Sequence, residues 1–293
     1  MTTRDVKRVI SSHRQREGGG FIVRRPLPTH GLEVADPFLL IDEMGPIDYP
    51  PGQAVGAPDH PHRGFETVTY ILEGEGEHED SAGHRGVIGA GDVQWMTAGG
   101  GIIHSEMPSA RIQEEGGRVH GFQIWVNLPA RLKMTRPRYQ EVPRSRIPEA
   151  RSADGLATVR VIAGEALGAR AVIDTHTPIV YQDWSLEPGA DITVPLAADH
   201  AAMAYVFEGA AQLGDAGARV ADGQLGLLGE GDAVRLRASE KTRLLLLAGV
   251  PWREPVARYG PFVMNTAREI EEAIVDYQTG RMGEINRTAS STA

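Results

Sequence analysis

Along much of this chain, short stretches of alternating or uniformly apolar residues are separated by turn residues. Phe21-Ile-Val-Arg, Phe38-Leu-Leu-Ile, Thr67-Val-Thr-Tyr-Ile-Leu, Gly86-Val-Ile, Val93-Gln-Trp-Met and Gly121-Phe-Gln-Ile-Trp-Val are rich in β-branched or aromatic side chains. Such runs fit a pleated surface, and each reads as a strand. A second series follows the middle of the chain: Thr158-Val-Arg-Val-Ile, Ala204-Tyr-Val-Phe, Ala233-Val-Arg-Leu-Arg and Arg243-Leu-Leu-Leu-Leu. Many short strands between turns predict a sandwich or a barrel. One segment near the end has a different period. Thr266-Ala-Arg-Glu269 fits a capping box, and Ile270, Ala273, Ile274 and Tyr277 follow at helical spacing. This predicts an amphipathic helix that stops at Gly280 and lays its apolar face on a barrel.

The two series repeat. Tyr70-Ile-Leu-Glu73-Gly74 is echoed by Tyr205-Val-Phe-Glu208-Gly209, and Gly89-Ala-Gly91-Asp92 by Gly229-Glu-Gly231-Asp232. Two echoes in the same order point to a duplicated all-β unit. Between the copies lie Pro129, Pro137, Pro143 and Pro148, with Arg131, Lys133, Arg136, Arg138, Arg144 and Arg146. The stretch reads as a solvated linker, or, alternatively, as a docking patch for an acidic partner. The expected division is a first barrel over 1–135, a linker over 136–150, and a second barrel with the helix over 151–293.

Charge and composition narrow the function. Asp and Glu outnumber Lys and Arg by 39 to 30, which disfavours coating of a nucleic acid. There is no cysteine, which removes disulfides, thiolate zinc sites, iron–sulfur clusters and thiol nucleophiles. The first residues lack the apolar core of a secretory signal, and Leu244 to Val250 is too short to cross a bilayer. A cytoplasmic protein is expected, without membrane attachment. The sequon Asn286-Arg287-Thr288 then carries no meaning, and the polar tail Asn286 to Ala293 is expected to fray.

One constellation carries chemistry. In Asp59-His60-Pro61-His62-Arg63-Gly64-Phe65-Glu66, His60 and His62 are two apart, so on a strand both face one side. After Gly99-Gly100-Gly101 come His104 and Glu106 at the same spacing, and the glycines allow a tight turn into that strand. Two such pairs on facing strands supply three imidazole nitrogens and one carboxylate. That set suits Fe(II), Mn(II), Co(II), Ni(II) or Zn(II) and leaves coordination positions open for a ligand. His78 and His84 fall in a polar hairpin and read as exposed. His120 reads as a satisfied buried histidine or a pocket residue. Asp59 and Glu66 are candidate acceptors for the ligand N–H groups, or surface residues. Phe65, Trp95 and Met96 read as core. An offset of 135 carries His60 and His62 to Pro195 and Ala197, and the shared Gly-Asp turn carries His104 and Glu106 to Leu244 and Leu246. None of these binds a metal, so the second unit reads as structural.

The run from His60 to Val68, the hairpin around His78 and His84, Gly91-Asp-Val-Gln-Trp-Met-Thr-Ala-Gly and Ile103-His-Ser-Glu-Met-Pro108 closely resemble the pirin family. His120-Gly-Phe-Gln-Ile-Trp-Val-Asn-Leu and Gly260-Pro-Phe-Val-Met-Asn are similar to pirin signatures as well. The resemblance spans nearly the whole chain. It implies a bicupin: two jelly-roll β-barrels in tandem with a short C-terminal helix, and metal in the first barrel alone. It implies ligands at His60, His62, His104 and Glu106 for one divalent ion, with Fe(II) expected and manganese, cobalt, nickel, copper or zinc as alternatives. Thr67 fills the usual first-motif glutamate slot, and Glu106 supplies the carboxylate instead. The activity implied is that of a quercetin 2,3-dioxygenase acting on a flavonol and O2, with Glu106 as catalytic proton acceptor. The alternative is a non-catalytic, iron-dependent redox sensor that acts through a protein partner. A third, weaker option is metal-assisted hydrolysis or isomerisation. A monomer is expected, because each barrel closes its own edges.

Overall fold

The computed structural model describes residues 1–287; Thr288 of the sequon and the rest of the tail lie outside the described residues. Strands dominate, as the alternation predicts, and they form two barrels of like construction. In the first, a seven-stranded sheet runs in the order Arg138–Val142, Val93–Thr97, Phe65–Glu73, Gly117–Asn127, Phe38–Tyr49, Phe21–Leu27, His13–Glu17. Its companion sheet has the order Ala57–His62, Ile102–Pro108, Gly76–Asp80, Arg85–Ile88. In the second barrel, the long sheet runs Val6–Ser11, Gln224–Leu228, Ala201–Glu208, Thr242–Gly249, Ile179–Leu186, Ala157–Ala163, Glu149–Arg151. The short sheet runs Asp191–Pro195, Ala233–Ala238, Ala210–Leu213, Ala218–Ala221. Strand for strand, the second barrel repeats the first. This is the two-barrel cupin architecture.

The barrels are not contiguous segments. One compact unit gathers Met1–His13, Arg24–Leu39 and Ser145–Trp252; the other gathers Arg14–Val23, Leu40–Arg144 and the chain from Arg253 onward. The division expected at 136–150 therefore changes in three ways. The N-terminal strand Val6–Ser11 pairs with Gln224–Leu228 and so belongs to the second barrel. The C-terminal helix belongs to the first. The proline-rich stretch is no free linker, because Arg138–Val142 adds to the first barrel's long sheet beside Val93–Thr97 and Glu149–Arg151 pairs with Ala157–Ala163. Nor is it uniformly basic at its surface. Lys133 is buried and donates to the carbonyls of Gly64 and Val263 and to Asn127 Oδ1.

Helix Ala267–Gln278 begins as predicted. Thr266 accepts from the Glu269 amide, and the Glu269 side chain accepts from the Thr266 amide. Ile270 and Ala273 are buried against Ile103, Phe262, Met264 and Met282, whereas Tyr277 is exposed. Asp276 on this helix pairs with the buried Arg63 guanidinium at 2.7 Å, and that holds the Asp276 carboxyl below its usual pKa. No helix among the described residues is long and apolar enough to cross a membrane.

The aligned sheets correct the internal repeat. The Gly-x-Gly-Asp turn at Gly229 leads into Ala233–Ala238, which holds the place of Ile102–Pro108 and not that of Val93–Thr97. His60 pairs with His104 in the first barrel, as Val194 pairs with Val234 in the second. The counterparts of His60, His62, His104 and Glu106 are thus Val194, Leu196, Val234 and Leu236, all buried in one hydrophobic cluster. Pro195, Ala197, Leu244 and Leu246 are not the counterparts.

Candidate metal centre

Two turns place the ligand-bearing strands. Gly64 adopts φ +90°, and a Cβ there would lie 1.9 Å from the Val263 carbonyl oxygen. Gly99 adopts φ +50°, and its Cβ would lie 2.2 Å from the Thr135 oxygen. Neither position admits a side chain. The turns are tied together: the Gly64 amide donates to the Gly99 carbonyl at 2.8 Å, and Arg63 Nε donates to the Gly100 carbonyl at 2.7 Å. Strands Ala57–His62 and Ile102–Pro108 then pair in antiparallel register, with His104 opposite His60 and Ile102 opposite His62.

The three imidazoles converge. Ring centroids lie 4.7 Å apart for His60 and His62, 4.3 Å for His60 and His104, and 4.9 Å for His62 and His104. One nitrogen from each ring lies within 4.8 Å of the others. An equilateral set at that limit has its centre about 2.8 Å from each nitrogen, and metal–nitrogen bonds are about 2.1 Å, so modest ring movement closes the gap. Burial first, and then the neighbouring His60, push the pKa of His62 and of His104 well below that of free histidine. Neutral rings have the lone pair a metal requires. His60 Nδ1 lies 2.8 Å from the Pro58 carbonyl, and His62 Nδ1 lies 3.4 Å from the Pro261 carbonyl. These acceptors favour the tautomer that leaves Nε2 free. Both ring nitrogens of buried His104 lack a hydrogen-bond partner. An imidazole so placed is costly unless something binds it. The donor set therefore fits a borderline divalent ion.

Glu106 stands outside the close three-nitrogen set. Its carboxylate accepts from Thr69 Oγ1 at 2.9 Å and from Gln123 Nε2 at 3.0 and 3.1 Å. Beside the histidines, Trp125 lies 5.1 Å from His62 and packs on Phe65 at 4.3 Å, with the Arg258 guanidinium 4.9 Å over its ring.

The other polar candidates find separate roles. Asp59 pairs with Arg287 at the surface. Glu66 is buried and accepts from Thr97 Oγ1. The acceptors for His60 and His62 are backbone carbonyls instead. His120 is a satisfied buried histidine, 2.9 Å from Glu43 Oε1. His84 is exposed, but His78 is not: its ring is buried, with Nε2 2.5 Å from Glu141. The hairpin's polar letters concealed its inward face, because His78 lies opposite Glu106 in the ladder. Thr69 lay outside the motifs, and Gln123 lay within the run from His120 to Leu128 without being singled out. The available signal was Thr69 itself, a hydroxyl in a strand whose neighbours are apolar and buried.

The pirin family model matches residues 20–126, and the model of the pirin C-terminal cupin domain matches residues 181–283. Human pirin is 45% identical over 279 residues, covering 94% of this chain and 92% of its own. The crystal structure of a quercetin 2,3-dioxygenase from Acinetobacter baumannii superposes with a TM-score of 0.91 at 38% identity, covering 97% of this chain and all of that one. A bacterial pirin from Escherichia coli, solved in complex with nickel(II), shares the fold with a TM-score of 0.62 at 21% identity, over 83% and 98% of the two chains. Motifs, duplicated barrels and comparisons converge: this chain belongs to the pirin family.

Proposed function

We propose that the protein is a metal-dependent dioxygenase that cleaves a flavonol such as quercetin, with His60, His62, His104 and Glu106 holding one divalent ion. The observation that carries this reading is the convergence of three imidazoles on one point, with buried His104 left partnerless. The likeness to a quercetin 2,3-dioxygenase over nearly the full chain supports the substrate class. Fe(II) is the proposed ion; the same donors accept other first-row ions.

When bound, a divalent ion acts as a Lewis acid that favours the ionised form of a ligating hydroxyl. The protein's own groups do the rest. Pro58 and Pro261 carbonyls orient His60 and His62. Glu106 would accept the proton of the flavonol 3-hydroxyl where its bond to the ion is loose enough to free Oε2. Trp125, packed on the buried Phe65 and lying beside His62, gives the site an apolar neighbour. In the net reaction the flavonol consumes O2, its central ring opens, and carbon monoxide leaves.

The test is aerobic loss of quercetin's visible absorbance. His62→Ala, or removal of the ion with a chelator, is expected to abolish it. Turnover that survives both treatments overturns the proposal.

A further inference from the structure

We propose that Thr69 and Gln123 are positioning residues for the site carboxylate: they fix how Glu106 is presented to the ion. The inference rests on the metal reading above but not on the identity of the substrate.

Glu106 reaches across the barrel interior from the short sheet, whereas Thr69 and Gln123 sit on adjacent strands of the long sheet. There they are direct cross-strand partners, one rung of the ladder. Both donate to the carboxylate. The Thr69 hydroxyl has a single hydrogen, and of the two acceptors in reach Glu106 Oε1 at 2.9 Å is nearer than Gln123 Oε1 at 3.4 Å. The Gln123 amide reaches Oε1 at 3.0 Å and Oε2 at 3.1 Å. The amide must present its nitrogen, since its oxygen would face two acceptors. A carboxylate has about four lone-pair sites. Three hydrogen bonds therefore leave one acceptor position, on Oε2. The rung determines which oxygen is open.

The second barrel supplies an internal control. There the same rung is Ala204 opposite Leu246, and the counterpart of Glu106 is Leu236. Where the carboxylate is gone, both donors are gone with it. A buried hydroxyl such as that of Thr69 is costly without a partner, and the half-buried Gln123 amide adds to that cost, so the barrel keeps them where they have a carboxylate to hold.

Cobalt(II) titration of the metal-free protein tests this, with the visible absorption of bound cobalt reporting its ligand geometry. Gln123→Leu, which installs the second barrel's residue, is expected to weaken cobalt binding about tenfold to a hundredfold and to alter the spectrum. Thr69→Val shifts both in the same direction by less, and Thr69→Ser restores them. Gln123→Met keeps the length of the side chain and guards against a packing defect; it is expected to behave like Gln123→Leu. A purely structural role would lower the melting temperature and leave the bound-cobalt spectrum intact. Unchanged spectra and affinities in Gln123→Met and Thr69→Val overturn the inference while the metal reading survives. Failure of the unsubstituted protein to bind cobalt overturns both.

Discussion

The two barrels share strand order, and their register matches except for a bulge between His104 and Glu106, yet they differ inside. In the first, six interior positions hold His60, His62, Thr69, His104, Glu106 and Gln123. In the second, the matching positions hold Val194, Leu196, Ala204, Val234, Leu236 and Leu246, all within one apolar cluster. The architecture thus tolerates either a polar or an apolar lining. Strand pairing and turns set the shape, while a handful of inward side chains set the chemistry. The apolar lining is the simpler one to keep folded, because a polar one must satisfy every buried group.

The sharpest challenge to this contrast is to make one barrel resemble the other. His104→Val gives the first barrel the second's residue. It is expected to reduce metal affinity by more than a hundredfold, measured by titration, and to leave thermal stability equal or higher, since a buried imidazole without a partner disappears. A marked loss of stability would mean that the ring is structural. The reverse exchange, Leu236→Glu, puts a lone carboxylate where no donor awaits it. A cost of about 3–5 kcal/mol is expected in denaturant unfolding, from a buried charge without a partner plus lost packing. A smaller effect addresses the helix that closes the first barrel. Asp276→Asn is expected to cost about 1–2 kcal/mol, by loss of a charge-assisted bond to Arg63. The folded-state pKa of Asp276 is depressed. Its contribution is therefore full above the unfolded-state value of about 3.9 and is lost as pH falls through the lower folded value. The stability difference between the Asp276→Asn variant and its parent should shrink in that acidic window. A difference unchanged down to about pH 2 would exclude the ion pair as its source.

Much of this was legible in the chain. His-x-His, a glycine turn and His-x-Glu are local patterns, and strand geometry alone turns each pair to one side. The capping box at Thr266 is equally local. What escaped depends on pairings distant in sequence. Val6–Ser11 looks like any short strand, and nothing within it indicates pairing with residues near 226. Lys133 looks like a surface cation, yet its three acceptors come from segments up to 130 positions away. The second echo misaligned the copies because similar glycine turns occur on both sides of one strand. Gln123 reads as the polar member of an alternating strand, and only the facing sheet shows what it holds.

The exchange of chain ends also orders events during synthesis. The carbonyl beside His62 Nδ1 belongs to Pro261, 199 residues later, and the carboxylate beside Arg63 belongs to Asp276. The histidine barrel thus lacks these closing pieces until Asp276 has been made. A nascent chain that has made all three imidazoles still lacks the Pro261 carbonyl that orients His62.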